Sequence, residues 1–499
     1  MKNRLYITLL LASTFMLNSC SDWFDISPKT DVKAEELFET ENGFMSSLAG
    51  VYILMTGSDV YGGELSYNLI EQLVQMYDYM PDGAGGDRTA IYNYTTTTGG
   101  GYNTKGRMAN IWLSSYNIIA NANNLLKWLD VKGEEVILDD NTRNMLRGEA
   151  LAIRAYMHFD LLRCWGPVNY AANEEVRETK CIPYRMVTDD SKQPLLSASK
   201  VVEYILSDLE QAKKCLSYES DLDLSSNVTK DRRFRFNYHA INAFMARVYN
   251  YMGASELARN CALDVIENCG LELKSGNDND PMLFDEVICG VNIYNMIYSM
   301  STYFEAGDKI QNKYYISYQT MNRLFEFVGA ESSDMRTKSA AFTRDSGKEM
   351  AITRKYTKNE NEVMPLIRLP EMYYIVAESY EVGDDASDYI NIVRNKRGIS
   401  SVEDIYCATY EDCIKALNSE YRKEFYAEGQ YFYFLKAHGA TGPLVHFPEV
   451  ALGEENFIFP LPDNEKEYGW VEDESTDETQ SPETDTENGD TVVDDANQE

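Results

Sequence analysis

The stretch NYHAINAFMARVYNYMGASELARNCALDVIEN, residues 237–268, reads as two short helices around a tight turn. Ala246, Ala258 and Ala262 are small residues that let paired helices approach closely. Tyr249 supplies a ring to fill the gap between them. Gly253 supplies the backbone freedom for the turn. A looser copy follows in YIVAESYEVGDDASDYINIVRNKRG, residues 374–398, where Ala377 and Tyr380 precede Gly383 and Ala386.

These offsets are those of a tetratricopeptide unit, and repetition of such a unit predicts stacked helix pairs. The rest of the chain agrees. In IWLSSYNIIANANNLLKWL, residues 111–129, the pairs Ile111/Trp112, Ile118/Ile119 and Leu125/Leu126 recur at seven-residue spacing and share one helix face. Lys132-Gly133 and the polar LDDNT then predict a break. A second helix, residues 145–165, is stopped by Gly166-Pro167, so the two form an antiparallel hairpin. SASKVVEYILSDLEQAKKCL, residues 197–216, predicts a third helix with Ser199 as its N-cap. The fold class is therefore mainly α, a tetratricopeptide-like scaffold of helix pairs with long loops and a few short strands.

Two long non-helical stretches interrupt that pattern. Residues 56–107 contain PDGAGGDRTAIYNYTTTTGGGYNT, and residues 274–317 contain most of IYNMIYSMSTYFEAGDKIQNKYYISY. Loops of this length inside a compact domain are usually functional or disordered. Their aromatic content predicts short strands or structured turns.

Composition narrows the partners. The chain has 499 residues with a formal net charge of −34, which argues against nucleic acid and against charge-driven binding to anionic lipid. Residues 471–499 hold no Lys, Arg or aromatic residue and read as a disordered acidic tail. Of nine cysteines, Cys20 stands apart; the other eight form no CxxC pair and read mostly as buried free thiols. Four histidines, well separated, make no metal-ligand cluster, so no metal and no cofactor is expected. The 36 tyrosines suit surfaces that meet hydroxyl-rich ligands, because each joins an apolar ring to a polar tip.

The N-terminus predicts a location. Lys2 and Arg4 precede the apolar run LYITLLLASTFML, which is too short to span a bilayer and reads as a signal peptide, residues 1–19. The run ends in Leu17-Asn18-Ser19-Cys20, which resembles a bacterial lipobox. Such a cysteine carries acyl chains, and two or more chains anchor a protein firmly.

Six motifs then occur in order: DISPKTDVKAEELFETENGFMSSLAGVY (25–52), GEALAIRAYMHFDLLRCWGPV (148–168), MPLIRLPEMYYIVAESY (364–380), INIVRNKRG (390–398), EYRKEFYAEGQYFYFLK (420–436) and FIFPLPDNE (457–465). Together they resemble the SusD/RagB family of outer-membrane nutrient-binding lipoproteins, over residues 20 to about 470. The resemblance implies a domain of four tetratricopeptide-like helix pairs over 20–470, with binding loops inserted near 56–107 and 274–317. It implies a lipid-anchored protein on the cell surface, lipidated at Cys20. Such a protein would capture oligosaccharide and pass it to a SusC-like TonB-dependent transporter. The alternative is a peptide-binding member of the same family; a glycan-degrading enzyme or a purely structural subunit stands behind both. The chain departs from the family pattern at Tyr421, Lys423 and Phe425, and at Tyr433-Phe434, all scaffold positions.

No nucleophile elbow, zinc-binding HExxH, P-loop or dinucleotide fingerprint is present, so no catalytic residue is expected. GAGGD at 83–87 lacks a lysine in place and reads as a loop. A sugar ring presents an apolar face for an aromatic side chain and a hydroxyl rim for polar ones. The expected ligand-binding residues are Tyr92, Tyr94 and Tyr102 in the first loop region and Tyr303, Phe304 and Tyr314 in the second. Asp87, Arg88, Asn93 and Asn103 are their expected polar partners. Arg154, Arg368, Glu371, Glu378, Arg394, Arg397 and Glu428 match recurring charged positions of the family and are expected to pair inside the scaffold.

Overall fold

The computed structural model describes residues 34–78, 103–189, 191–275, 280–305, 313–327, 332–439, 442–443 and 451–469. Cys20, the expected signal peptide at 1–19 and the expected acidic tail at 471–499 lie outside these residues.

Helix α1 is Glu41–Met55, and the short α2 is Leu69–Leu73. The expected hairpin is α3, Thr104–Val136, and α4, Asp140–Trp165. Helix α3 runs through Lys132-Gly133, where a break was expected. Asp139 sets the boundary instead: its carboxylate accepts from the Thr142 N–H at 2.7 Å and so caps α4. From Gly148 to Trp165, α4 is buried on every side, which makes it the central pillar. Helix α5, Ala198–Cys215, packs along it. Its N-cap is Ser197 rather than Ser199, because the Ser197 hydroxyl accepts from the Lys200 N–H while the Ser199 hydroxyl donates to Glu178 at 2.6 Å.

The stretch that opened the reading folds as expected into α6, Tyr238–Tyr251, and α7, Ser255–Asn268. Asn237 caps α6 through an N–H of Ala240 at 2.9 Å. Gly253 turns the chain at φ +72°, a left-handed conformation that costs glycine nothing. Ala246, Ala258 and Ala262 are fully buried in the seam. Helix α8 is Met296–Phe304 and α9 is Tyr318–Leu324. The second copy is α10, Leu369–Tyr380, with α11, Gly383–Lys396; α12, Tyr410–Glu424, and α13, Gln430–Ala437, follow. Along the series α7 packs on α10, α10 on α11, α11 on α12 and α12 on α13. The fold is thus mainly helical, as the repeat pattern predicted.

Short strands ornament this stack. β1, Lys180–Ile182, pairs with β2, Leu196–Ser197. β3, Val287–Asn292, pairs antiparallel with β7, Val363–Arg368, Val287 lying opposite Arg368 and Asn292 opposite Val363. β4, Ile316–Ser317, β5, Phe342–Asp345, and β6, Met350–Thr353, form a three-stranded sheet in the order β4-β6-β5. β8, Gly442–Pro443, pairs with β9, Ala451–Leu452. Among the described residues no helix is long and apolar enough to cross a membrane.

The eight described cysteines are free, six of them buried. Burial pushes the Cys164 and Cys181 thiols up to about 12, so they stay protonated and act as packing groups.

The recurring charged residues meet partners inside the stack. Arg154 forks onto Asp208, Arg247 onto Glu371, and Glu378 bonds His438 and Asn250. A larger cluster joins the strand-bearing insertion to the C-terminal helices. Glu424 on α12 accepts from Arg397 at 2.9 and 3.0 Å, from Arg368 at 2.9 Å and from Arg336 at 3.2 Å. Glu286 meets Arg397 at 2.7 Å, Glu428 meets Arg368 and Lys355, and Glu420 meets Arg336, Arg394 and Lys423.

Candidate functional site

The two loop-rich regions meet in a nest of aromatic rings. Tyr67, just before α2, sits at its centre. The rings of Tyr303, Phe304, Tyr314 and Tyr356 lie 6.2, 5.3, 6.1 and 5.5 Å from it. Tyr77 packs on Tyr314 at 4.6 Å and on Tyr426 at 5.7 Å. Such edge and tilted contacts are the preferred ring geometry and add to plain burial. Polar bonds lock the junction: the Tyr77 hydroxyl donates to the Tyr67 carbonyl at 2.8 Å. Asp78 accepts from the Ser317 N–H and the Thr320 hydroxyl, while its own N–H donates to the Tyr315 carbonyl. Residues 56–78 are therefore a packed, largely buried turn segment rather than an open loop.

Tyr92, Tyr94, Tyr102, Asp87, Arg88 and Asn93 lie outside the described residues. Asn103 is exposed and caps α3, its side-chain oxygen accepting from the Gly106 N–H at 2.9 Å. In the second region the structure corrects two expectations. Phe304 is 1% exposed and Tyr314 is 2% exposed, so neither ring has a free face for a sugar. Phe304 is the last rung of the buried stripe Met296, Met300, Phe304 on α8, spaced four residues apart as one helix face requires. Tyr314 spends its hydroxyl inside the nest, donating to Asn68 and accepting from Gln72. Tyr303 is half-buried against Tyr67 and Tyr314.

Two exposed rings were not singled out from the sequence: Tyr294 in the turn that precedes α8 and Tyr298 on the helix itself. Tyr294 is 90% exposed and Tyr298 is 76% exposed. They stand four residues apart beside the partly exposed Ile297. The turn beneath them is firm: Asn295 adopts φ +58°, and the N–H groups of Ile293 and Asn295 donate to the backbone and side chain of Glu362 at 2.8 and 3.1 Å. The signal for Tyr298 was present as the helical period Met296, Met300 and Phe304, which turns it outward, whereas Tyr294 precedes the helix and no period marks it. Two exposed rings on a rigid base can stack on the apolar face of a ring-shaped ligand. Among the described residues no group of three or more His, Cys, Asp or Glu is arranged to hold a metal ion.

Comparison with known proteins agrees with this architecture. Residues 28–250 match a family model described as starch-binding and associating with outer membrane, and residues 293–488 match the SusD family model. A SusD-like protein of Formosa agariphila is 26% identical over 292 residues, which is 57% of this chain and 50% of that protein. A SusD-like protein of Bacteroides ovatus is 24% identical over 34% of this chain and 30% of its own length. The matched region thus spans about half the length, or less, of these curated relatives. Among solved structures, a SusD superfamily protein of Bacteroides thetaiotaomicron superposes with a TM-score of 0.67 at 20% identity, covering 86% of this chain and 98% of that one. A SusD-like carbohydrate binding protein of Bacteroides vulgatus gives 0.65 at 17% identity, covering 86% and 96%. At such identities the superpositions speak to the fold.

Proposed function

This chain belongs to the SusD/RagB family, and from that premise we propose that it is a lipid-anchored binding protein of the outer-membrane surface. It captures oligosaccharide or polysaccharide and delivers it to a SusC-like TonB-dependent transporter. It binds rather than transforms its ligand. The observation that carries the reading is the exposed pair Tyr294 and Tyr298, the first in the turn tied to Glu362 and the second on α8 above its buried stripe. Aromatic platforms on a firm base, with polar neighbours, are what a sugar ring needs. The helical stack supplies the rigidity, and the aromatic nest couples α8 to the segment that enters residues 79–102.

Isothermal titration of a Tyr294→Ala/Tyr298→Ala variant against a panel of neutral and acidic oligosaccharides tests this. A loss of affinity of about tenfold or more is expected, since stacked ring contacts are worth about 0.5–1.5 kcal/mol each beyond burial. Unchanged affinity for every oligosaccharide that the native protein binds would remove these rings from the site. The anchor has its own test. A Cys20→Ala protein should leave the membrane fraction, because its acyl chains would be lost; persistence in washed outer membranes would contradict lipidation at this residue.

A further inference from the structure

We propose that the groove along β5 is a subsite for the acidic groups of a glycan, either carboxylates or sulfate esters; this rests on the carbohydrate reading above and names the class of sugar. The groove measures about 560 Å³ and is lined by Lys338, Arg344 and Arg354, by Phe327 and by hydroxyls that include Ser332 and Thr343. No carboxylate lines it among the described residues. That is unexpected by charge alone, because the chain carries 80 acidic side chains against 46 Lys and Arg.

The basic residues of this segment fall into two populations. Arg336 and Lys355 face inward and meet Glu420, Glu424 and Glu428. Their near neighbours Lys338 and Arg354 face the groove and, among the described residues, bond backbone carbonyls, those of Ser332 and Ser339. Arg344 behaves alike, donating to the Thr337 carbonyl at 2.9 Å. Its guanidinium lies 5.8 Å from the Phe327 ring and 6.0 Å from the Tyr318 ring, which steadies it as a cation. The adjacent Asp345 does not line the groove and pairs with Lys348. The inward cations hold the fold together. The outward three have no carboxylate partner among the described residues, and carbonyl bonds leave their charge uncompensated. Guanidinium is suited to this task, since its planar fork matches carboxylate and sulfate oxygens. Phe327 offers an apolar face for the sugar carrying the acid, and the hydroxyls bond its rim.

The test is titration of the native protein, and of an Arg344→Gln/Arg354→Gln variant, with three probes: oligogalacturonate, chondroitin sulfate oligosaccharide and a neutral maltooligosaccharide. The native protein should bind at least one acidic probe, and the variant should bind it about tenfold or more weakly, two charge-assisted bonds being lost. Added salt should weaken the native affinity, because exposed charges are screened over about 8 Å at physiological ionic strength. The two acidic probes distinguish carboxylate from sulfate. An Arg344→Lys/Arg354→Lys variant with the native melting temperature should recover part of the binding, which a mere folding defect would not allow. Acidic binding that is equal in native protein and Gln variant would overturn the groove. Binding of the neutral probe alone would overturn the acidic class and leave the carbohydrate reading standing. Binding of no probe in this or the wider panel would count against both.

Discussion

Replacing Glu424 by alanine is expected to lower the stability of the fold by about 3–5 kcal/mol, the cost of removing one partner from a buried ion cluster. The loss is large because Glu424 faces three guanidiniums at once, those of Arg336, Arg368 and Arg397; Glu424, Arg368 and Arg397 are buried almost completely and Arg336 mostly so. Its removal leaves those cations to Glu286, Glu420 and Glu428, which already serve other bonds. Burial alone would raise the Glu424 carboxyl, but Arg397 and Arg368 hold it well below the usual carboxylate range. Burial likewise opposes, and Arg336, Lys423 and Arg394 reverse, the shift of Glu420, which ends at about 2. A depressed folded pKa means stability that is complete above the unfolded value of 4.5 and is lost as pH falls toward 2. Guanidinium unfolding of Glu424→Ala near neutral pH measures the first effect, with Glu424→Gln expected to fall between it and the native protein. Lys338→Gln is the control, expected within about 0.5 kcal/mol of native because its partner is a surface carbonyl. An unfolding midpoint for Glu424→Ala equal to that control would mean that the cluster does not bind the insertion to the helical stack.

How far the sequence could be read follows from the same distinction between local and distant partners. The hairpin of α3 and α4 and the pair α6 and α7 are written in local periodicity, and both form where periodicity places them. Their ends are not: Gly133 looks like a stop and is helical, because the cap that decides the boundary is the Asp139 carboxylate. Residue type singled out Tyr303, Phe304 and Tyr314, and all three lie in the aromatic nest, Phe304 and Tyr314 fully buried there. Aromatic count cannot say which side of α8 is covered, whereas the spacing Met296, Met300, Phe304 can. The charged residues Arg368, Arg394 and Arg397 stood out in their motifs, yet their partners could not be read. Glu286 is 111 positions from Arg397; the pairing of β3 with β7 sets Glu286 next to Arg368, and the end of α11 brings Arg397 to the same place. The cationic groove was only half legible. Residues 334–358 hold seven Lys and Arg against three Asp and Glu, a local basic excess in an acidic chain, but nothing in that order says that Arg336 and Lys355 turn inward while Lys338, Arg344 and Arg354 face the groove.

Between pH 5 and 8.5, roughly, the native protein is expected to lose more stability with rising pH than a Glu71→Gln variant does, by about 2–4 kcal/mol over the range. Glu71 lies on α2, fully buried, and its carboxyl accepts from the N–H groups of Ala427 and Gly429 at 3.1 and 2.7 Å. Those two residues form a turn with φ of +65° and +79° just before α13. A side chain at Gly429 would meet Ile70 and the Leu65 carbonyl, so the turn is tightly seated against α2. Burial is the dominant influence and pushes the Glu71 carboxyl up to about 8. The two backbone bonds and Lys355 pull it down and Glu428 adds to the rise. With the folded pKa raised above 4.5, the stabilisation is fully present below 4.5 and is lost as pH climbs through about 8, where the acid must ionise without water. Glutamine cannot ionise. It loses one acceptor and so shifts the whole curve by a constant amount, but the slope attributable to position 71 vanishes. The comparison of slopes matters because other groups titrate nearby in pH. His438 is raised, burial being outweighed by Glu378, and contributes with the same sign as Glu71. Lys436 is lowered to about 7 by burial and contributes with the opposite sign. Both are common to the two proteins and cancel in the difference. Guanidinium midpoints measured across the range give that difference directly. Parallel curves would show that Glu71 is ionised throughout, and the turn before α13 would then be held by two charged hydrogen bonds rather than by a neutral acid.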